Sequence, residues 1–155
     1  ASCGNRFWLV DEESAIHVGM RVSHFEILSK LGVGAFGSVW RARDAQLDRL
    51  VAVKIPRKST LTKDEVEQLI REARAVAQLT HPNIVHIHEV GREGELVYLV
   101  TDLVEGQNLA DWIAENQMTP REAAALCATL AAALHHAHER GVIHRDLKPS
   151  NVMLY

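Results

Sequence analysis

Short runs in which apolar and polar residues alternate occupy much of the chain. Residues 25–31 and 38–43 alternate, and residues 50–55 form a run rich in β-branched side chains. Runs of this length and composition are typical of β-strands. Residues 84–90 and 96–104 have the same character. The connections are short, so the pattern predicts a lobe of five antiparallel strands.

Three other segments follow a helical pattern. Residues 62–79 carry apolar residues with a 3.6-residue period, and Thr62 with Glu65 forms a capping-box sequence at the start. Residues 109–115 predict a short helix. A long helix opens at Thr119 with Pro120 in its first position and ends near Gly141. Strands followed by helices predict an α+β fold.

The change from strand to helical patterning also predicts the domain organisation. Residues 1–22 show no sustained period and are predicted to be an extension or linker. Residues 23–103 are predicted to form a small α+β lobe, and residues 104–155 the start of a helical lobe. Because the chain begins at Ala1 rather than at a methionine, we expect it to be a piece of a longer protein.

Composition excludes several classes of function. The 155 residues are 47% hydrophobic and 24% charged, with a net charge of −3, and the basic residues are scattered. Nucleic-acid binding is therefore not expected. The longest apolar run, residues 123–134, is too short to span a membrane. Cys3 and Cys127 lie far apart in sequence, which favours a reducing, cytoplasmic setting.

The glycine-rich run Gly32-Val-Gly34-Ala-Phe-Gly37 is the first candidate for chemistry. A dinucleotide site would need a helix directly after the last glycine and an acidic residue about 20 positions later. A strand pattern follows instead, and that later region ends in Lys54. No Gly-Lys-Ser/Thr follows, which excludes a Walker A loop. Two interpretations stay open: a hairpin that folds its backbone over phosphates, and a plain glycine turn.

Three segments together resemble the signature set of the protein kinases. They are Gly32-x-Gly34-x-x-Gly37-x-Val39, then Val51-Ala-Val-Lys54, then His144-Arg-Asp-Leu-Lys-Pro-x-Asn151. The resemblance covers about residues 23 to 155 and implies the ATP-binding half of a eukaryotic-type serine/threonine kinase, cut off after its catalytic loop. The run Arg41-Ala-Arg-Asp44 resembles bacterial members.

The resemblance implies roles for residues of the phosphate site, with ATP and Mg²⁺ as cofactors. Lys54 would contact the α- and β-phosphates, and Glu72 in Arg71-Glu-Ala-Arg74 resembles its acidic partner. Glu65 and Glu67 are alternatives to Glu72 but lie near the start of the helix. A glutamate on a solvated helix face is the other interpretation of Glu72.

The catalytic-loop residues have implied roles as well. Asp146 would accept the proton of the substrate hydroxyl, and Asn151 would bind magnesium. Lys148 resembles the serine/threonine-kinase form of this loop, which implies protein substrates with Ser or Thr acceptors. Arg145 resembles the arginine of kinases whose activation segment is ordered by phosphorylation.

The adenine pocket is also implied by the resemblance. Val39 and Ala52 would lie above the base and Met153 below it, with Thr101 as gatekeeper. The backbone of the hinge, near Asp102 to Val104, would supply hydrogen bonds. Ordinary core packing is the alternative for these apolar residues. The full implied nucleotide-binding set is Leu31, Gly32, Val33, Gly34, Ala35, Phe36, Gly37, Val39, Ala52, Lys54, Thr101, Asp102, Val104 and Met153.

Nine histidines suggest a metal site, but His86 and His88 have no obvious cysteine or carboxylate partner in the sequence. His135, His136 and His138 do not share one helix face. A metal site at these histidines is therefore not expected.

Two hypotheses about function follow. The intact set of Lys54, Glu72, Asp146, Lys148 and Asn151 favours an active kinase. The Asp-Phe-Gly metal ligand and the activation segment lie outside these residues, so the segment alone is expected to be inactive. The alternative is a pseudokinase or truncated nucleotide-binding scaffold without catalysis. A membrane anchor elsewhere in the parent protein is compatible with both hypotheses.

Overall fold

The structure is a computed structural model that describes residues 16–34, 37–56, 62–94 and 96–155, with Lys63 described by its backbone alone. Most of the predicted extension therefore lies outside the described residues. The elements in chain order are β1 (Arg21–Val22), β2 (Phe25–Gly34), β3 (Gly37–Asp44), β4 (Arg49–Pro56), α1 (Lys63–Val76), β5 (Ile87–Glu93), β6 (Leu96–Asp102), β7 (Gln107–Asn108), α2 (Leu109–Glu115), α3 (Pro120–His138), a 3-10 helix (Pro149–Asn151) and β8 (Met153–Leu154).

One antiparallel sheet of six strands forms the first lobe, in the order β1-β2-β3-β4-β6-β5. The predicted α+β class is confirmed. The five predicted strands are present, and β1 is an additional one. Its two residues are too few to show a period, but Val22 is completely buried in the core.

Alternation along β4 separates the two faces of the sheet. Val51, Val53 and Ile55 are buried, whereas Ala52 and Lys54 point to the opposite face. The buried residues pack with side chains of the neighbouring strands, including Phe25 and Trp40, in one apolar cluster. The sheet therefore has one face in the core and a second face left for other contacts.

The predicted capping box at Thr62 is confirmed, and the predicted start of the long helix is capped in the same way. The Thr62 hydroxyl accepts from Glu65 N, and the Glu65 carboxylate accepts from Thr62 N at the start of α1. Thr119 and Glu122 make the same exchange at α3, where Pro120 is the first helical residue. Each box satisfies backbone donors that no helical carbonyl can reach. None of the helices in the described part of the chain combines the length and apolarity needed to span a bilayer.

Two strand boundaries differ from the prediction. β5 begins at Ile87 rather than at residue 84, because Ile84 N bonds to His81 O in a turn that the apolar pattern does not reveal. β6 ends at Asp102 rather than at residue 104. Leu103 and Val104 therefore follow the strand as a connection to the second lobe.

The turn between β3 and β4 depends on a buried carboxylate. Asp44 Oδ1 accepts from Gln46 N at 3.0 Å and Leu47 N at 3.1 Å, and Arg49 Nε lies 3.4 Å from Oδ2. Only 2% of the residue is exposed. Burial raises the pKa of Asp44, but the two backbone donors and Arg49 outweigh it, so the pKa lies below its usual value.

Replacement of Asp44 by Ala should lower the free energy of unfolding by about 1–3 kcal/mol, because two backbone donors lose their acceptor. Asn is the matched control, since it keeps the acceptor oxygen and removes only the charge. A depressed native pKa stabilises the fold above the unfolded-state pKa, and that stabilisation is lost as the pH falls. Urea unfolding at neutral and acid pH measures both effects, and an Asp44→Ala variant as stable as the native protein would contradict this role.

Candidate active site

The hairpin of β2 and β3 carries the three glycines of the glycine-rich run. Gly34 lies opposite Gly37 in the register, and Gly32 lies opposite Val39. Gly37 has a φ of +145°, and a Cβ there would lie 2.1 Å from Ile55 O. A Cβ at Gly32 or Gly34 would meet no described atom within 4 Å. The fold therefore requires glycine at 37, whereas glycine at 32 and 34 leaves room for something else. Ala35 and Phe36 lie outside the described residues.

Several of the predicted adenine and phosphate residues lie on the sheet face opposite the core. Val39 is opposite Lys54, Arg41 is opposite Ala52, and Ala52 is also opposite Thr101. Directly opposed residues in an antiparallel pair share one face. We call the surface formed by these five residues the cleft face. Leu31 and Val33 lie on the neighbouring strand β2, and both are about half exposed.

The connection after β6 joins the sheet to the second lobe. Asp102 is the last residue of β6, and Val104 follows it before the short strand β7. β7 pairs with β8, which places Asn108 opposite Met153. Leu109 N also donates to Val152 O at 2.8 Å. The segment that follows the predicted hinge is thus paired with Met153, which remains partly exposed.

The catalytic-loop sequence forms a compact hydrogen-bonded group. Lys148 Nζ lies 2.8 Å from Asp146 Oδ2 and 3.1 Å from Oδ1. Asn151 Nδ2 donates to Asp146 O at 2.7 Å and to Oδ2 at 3.1 Å. The 3-10 helix Pro149–Asn151 provides the bend that returns Asn151 to Asp146. The structure therefore brings together three of the predicted catalytic residues.

The charge of Asp146 is stabilised within this loop. The hydrogen bond from Lys148 lowers the pKa of Asp146, and the Asn151 amide lowers it further, so that together they outweigh the effect of desolvation. About half of the Asp146 side chain is exposed. It is thus an ionised, accessible carboxylate that can accept a proton from a bound hydroxyl group.

Asn151 also fits a metal ion. Its Nδ2 faces Asp146, and its Oδ1 has no hydrogen-bond donor among the described residues. A carboxamide oxygen is a hard ligand of the kind that Mg²⁺ accepts. A single oxygen ligand does not complete a magnesium site, so the other ligands must come from elsewhere.

The predicted pair between Lys54 and Glu72 is not formed. Glu72 Oε1 instead accepts from Arg145 Nη1 at 3.1 Å and from Gln68 Nε2 at 2.8 Å. Among the described residues Lys54 makes no ion pair, and it is exposed. Sequence patterns place both residues correctly in β4 and α1, but the choice of partner depends on where α1 lies against the catalytic loop.

The cleft face also carries a contact that the sequence did not predict. Arg41 Nη2 lies 3.4 Å from Glu105 Oε1, just beyond the hinge. The strand period already places Arg41 two residues after Val39 and on the same face. That period could have indicated Arg41 as a cleft residue, whereas its partner depends on the path of the hinge.

Comparison with known proteins agrees with this geometry. A family model described as "Protein kinase domain" matches residues 25–155. The serine/threonine-protein kinase PrkC of Bacillus subtilis is 37% identical over 140 residues, which cover 88% of this chain and 22% of that protein. PknB of Mycobacterium tuberculosis is 39% identical over 137 residues, with 84% and 22% covered. CBL-interacting protein kinase 21 of rice is 39% identical, with 87% and 26% covered.

Solved structures give the same result for the fold. The crystal structure of the M. tuberculosis PknI kinase domain matches with a TM-score of 0.81 and 27% identity, covering 90% of this chain and 57% of that one. The chain spans 22% to 26% of the length of the three curated relatives. The match includes both the sheet and the catalytic loop, and the chain belongs to the protein kinase family.

Proposed function

We propose that the protein containing this chain transfers the γ-phosphate of ATP to serine and threonine hydroxyls of other proteins. The observation that carries the proposal is the hydrogen-bonded group of Asp146, Lys148 and Asn151 in one loop. A scaffold that only binds nucleotide would have no use for an ionised, accessible carboxylate there. The names of the curated relatives support serine and threonine as acceptors.

The proposed chemistry follows from what phosphoryl transfer needs. The transition state is loose and highly charged, so the protein mainly positions the groups and neutralises their charge. Asp146 accepts the proton of the attacking hydroxyl, while the Lys148 ammonium lies beside the Asp146 carboxylate and balances its charge. Asn151 Oδ1 would help to hold Mg²⁺, which would neutralise charge on the phosphates when bound.

The cleft face is the proposed site of the nucleotide. Val39 and Ala52 offer an apolar surface to adenine, and Lys54, opposite Val39, reaches the phosphates from the same face. Gly32 and Gly34 leave space for the phosphates close to the backbone. Orientation of Lys54 by Glu72 requires Glu72 to leave Arg145, since the carboxylate contacts Arg145 in this structure.

The cellular setting is also a proposal. Cys127 is a free, exposed thiol, and Cys3 is far from it in sequence, which supports a reducing cytoplasm as the place where this segment works.

The first test is phosphotransfer from Mg-ATP to a protein substrate by the full-length protein. Replacement of Asp146 by Asn should reduce kcat by about 100- to 10,000-fold, because the proton acceptor is lost. Asp48→Asn is the matched control, an exposed aspartate in the β3–β4 turn. Analysis of the phosphorylated residue decides the acceptor type. Activity that survives both Lys54→Met and Asp146→Asn would overturn the proposed function, and nucleotide binding without any turnover would favour the scaffold.

The glycines give a second test. Gly34→Ala should raise the KM for ATP and leave the melting temperature unchanged or slightly higher, because the added methyl group has space and reduces unfolded-state entropy. Gly37→Ala is the contrasting variant, and it should lower the melting temperature because its Cβ collides with the Ile55 carbonyl. Thermal unfolding and ATP kinetics of both variants separate the two effects. Equal KM values for Gly34→Ala and the native protein would rule out a role of this position in nucleotide binding.

The pH dependence gives a third test. Lys148 holds the pKa of Asp146 low, so replacement by Met should raise that pKa. The acid limb of the kcat profile should then move to higher pH, because Asp146 becomes protonated earlier as the pH falls. Lys148→Arg keeps a cation and should shift the limb less. An acid limb that stays in place in Lys148→Met, measured on residual activity, would show that Asp146 is not the titrating base.

A further inference from the structure

The pairing of β5 with β6 contains an irregularity next to the hinge. Ile87 lies opposite Thr101 and Glu89 lies opposite Val100, so His88 is an extra residue without its own partner in the register. Such a bulge bends the strand and redirects the side chain of the inserted residue, and bulges occur often beside active sites. The direction of His88 is therefore set by a local departure from regular pairing.

The redirected imidazole contacts the last residue of β6. His88 Nε2 lies 2.7 Å from Asp102 Oδ1, and only 17% of the His88 side chain is exposed. A hydrogen bond to an ionised carboxylate is stronger than one between neutral groups. His88 thus holds the side chain of Asp102, the residue at which the chain leaves the sheet and enters the hinge.

Backbone groups of His86 hold the same aspartate from a second direction. Asp102 N donates to His86 O at 3.1 Å, and His86 N donates to Asp102 Oδ2 at 3.3 Å. Both carboxylate oxygens and the amide of Asp102 are therefore engaged. The pairing of β4 with β6 also ends here, with Val51 opposite Asp102. Beyond this point the direction of Leu103 and Val104 depends on how Asp102 is held.

A cation from β4 also lies against the ring of His88. Arg49 Nη1 lies 3.4 Å from each ring nitrogen of His88, and Arg49 Nε lies 3.4 Å from the buried carboxylate of Asp44. The ring of His86 lies 5.1 Å from that of His88. His88 is thus the link between a buried turn of the sheet and the hinge.

We propose that His88 is a positioning residue for the nucleotide: through Asp102 it fixes the hinge backbone that receives adenine. The inference rests on the proposed function, because it assigns the fixed backbone to ATP recognition. The ring itself lies beside the hinge and acts on the base only through Asp102. A site that is already fixed before binding loses less entropy when the ligand arrives, so loss of this link weakens ATP binding more than it slows transfer.

The test compares two histidines on the same segment in the full-length protein. His88→Phe keeps an aromatic ring and removes the donor to Asp102, and the KM for ATP should rise about fivefold to tenfold with kcat changed less than about twofold. His86→Phe is the matched control, because His86 contacts Asp102 through its backbone alone and should leave KM unchanged. His88→Gln can still donate to Asp102 and should restore most of the affinity.

A second variant removes the other partner of this contact, Asp102. Asp102→Ser removes the carboxylate and keeps the strand backbone, so it should raise KM to a similar degree. The double variant with His88→Phe should then be no worse than Asp102→Ser alone, since Asp102→Ser already removes the contact with His88. Additive effects would show that the two residues act separately and would overturn the proposal. If His88→Phe does not fold, the KM of Asp102→Ser still tests the proposal.

Amide hydrogen exchange of the hinge separates this inference from the proposed function. Residues 101–104 should exchange faster in His88→Phe than in His86→Phe, with or without nucleotide. If the native protein transfers phosphate and His88→Phe changes neither KM nor hinge exchange, the positioning role is wrong while the kinase function stands. If the native protein neither binds nor uses ATP, the proposed function fails, and unchanged hinge exchange in His88→Phe would then overturn the structural link as well.

Discussion

The register of β3 against β4 and of β4 against β6 is the constraint on which the site depends. It places Lys54 opposite Val39 and Ala52 opposite Thr101, on the face away from the core. Because side chains alternate along a strand, a slip of one residue would bury Lys54 and expose Val53. The fully buried Val51 and Val53 make such a slip costly. Hydrophobic burial on one face thus fixes the position of the chemistry on the other.

A few polar contacts among the described residues fix the path of the chain from the sheet into the second lobe. Residues 86 and 88 contact Asp102 at the end of β6, and the β7–β8 pair joins the segment after the hinge to the strand after the catalytic loop. Arg41 and Glu105 form a further pair at the edge of the cleft. Most of these groups are partly exposed, where single ion pairs contribute little to stability. Their main effect is on geometry rather than on stability, because they help to set the relative positions of elements outside the apolar core.

Much of this organisation could be predicted from the sequence, and the failures share a physical cause. Local signals were sufficient for the capping box at Thr62, for the helix start at Pro120 and for the alternation around Lys54, because each involves residues within a few positions of one another. The prediction missed the bulge at His88 and paired Glu72 with Lys54 rather than Arg145. Both depend on residues that are distant in sequence and on how two elements lie against each other. The same holds for β1, whose two residues are stabilised by the core rather than by their own pattern.

The catalytic loop and α1 are coupled through Arg145, whose guanidinium contacts Glu72. This residue has a φ of +60°, a conformation that costs a residue other than glycine on the order of 1 kcal/mol and persists only where its surroundings stabilise it. The hydrogen bond from Asp146 N to His144 O closes the chain around it. The loop that gathers Asp146, Lys148 and Asn151 is therefore the same loop that directs the Arg145 guanidinium toward Glu72. A displacement of α1 that gives Glu72 another cation removes a hydrogen-bond partner of Arg145, so the position of the helix acts on the loop that carries the proton acceptor.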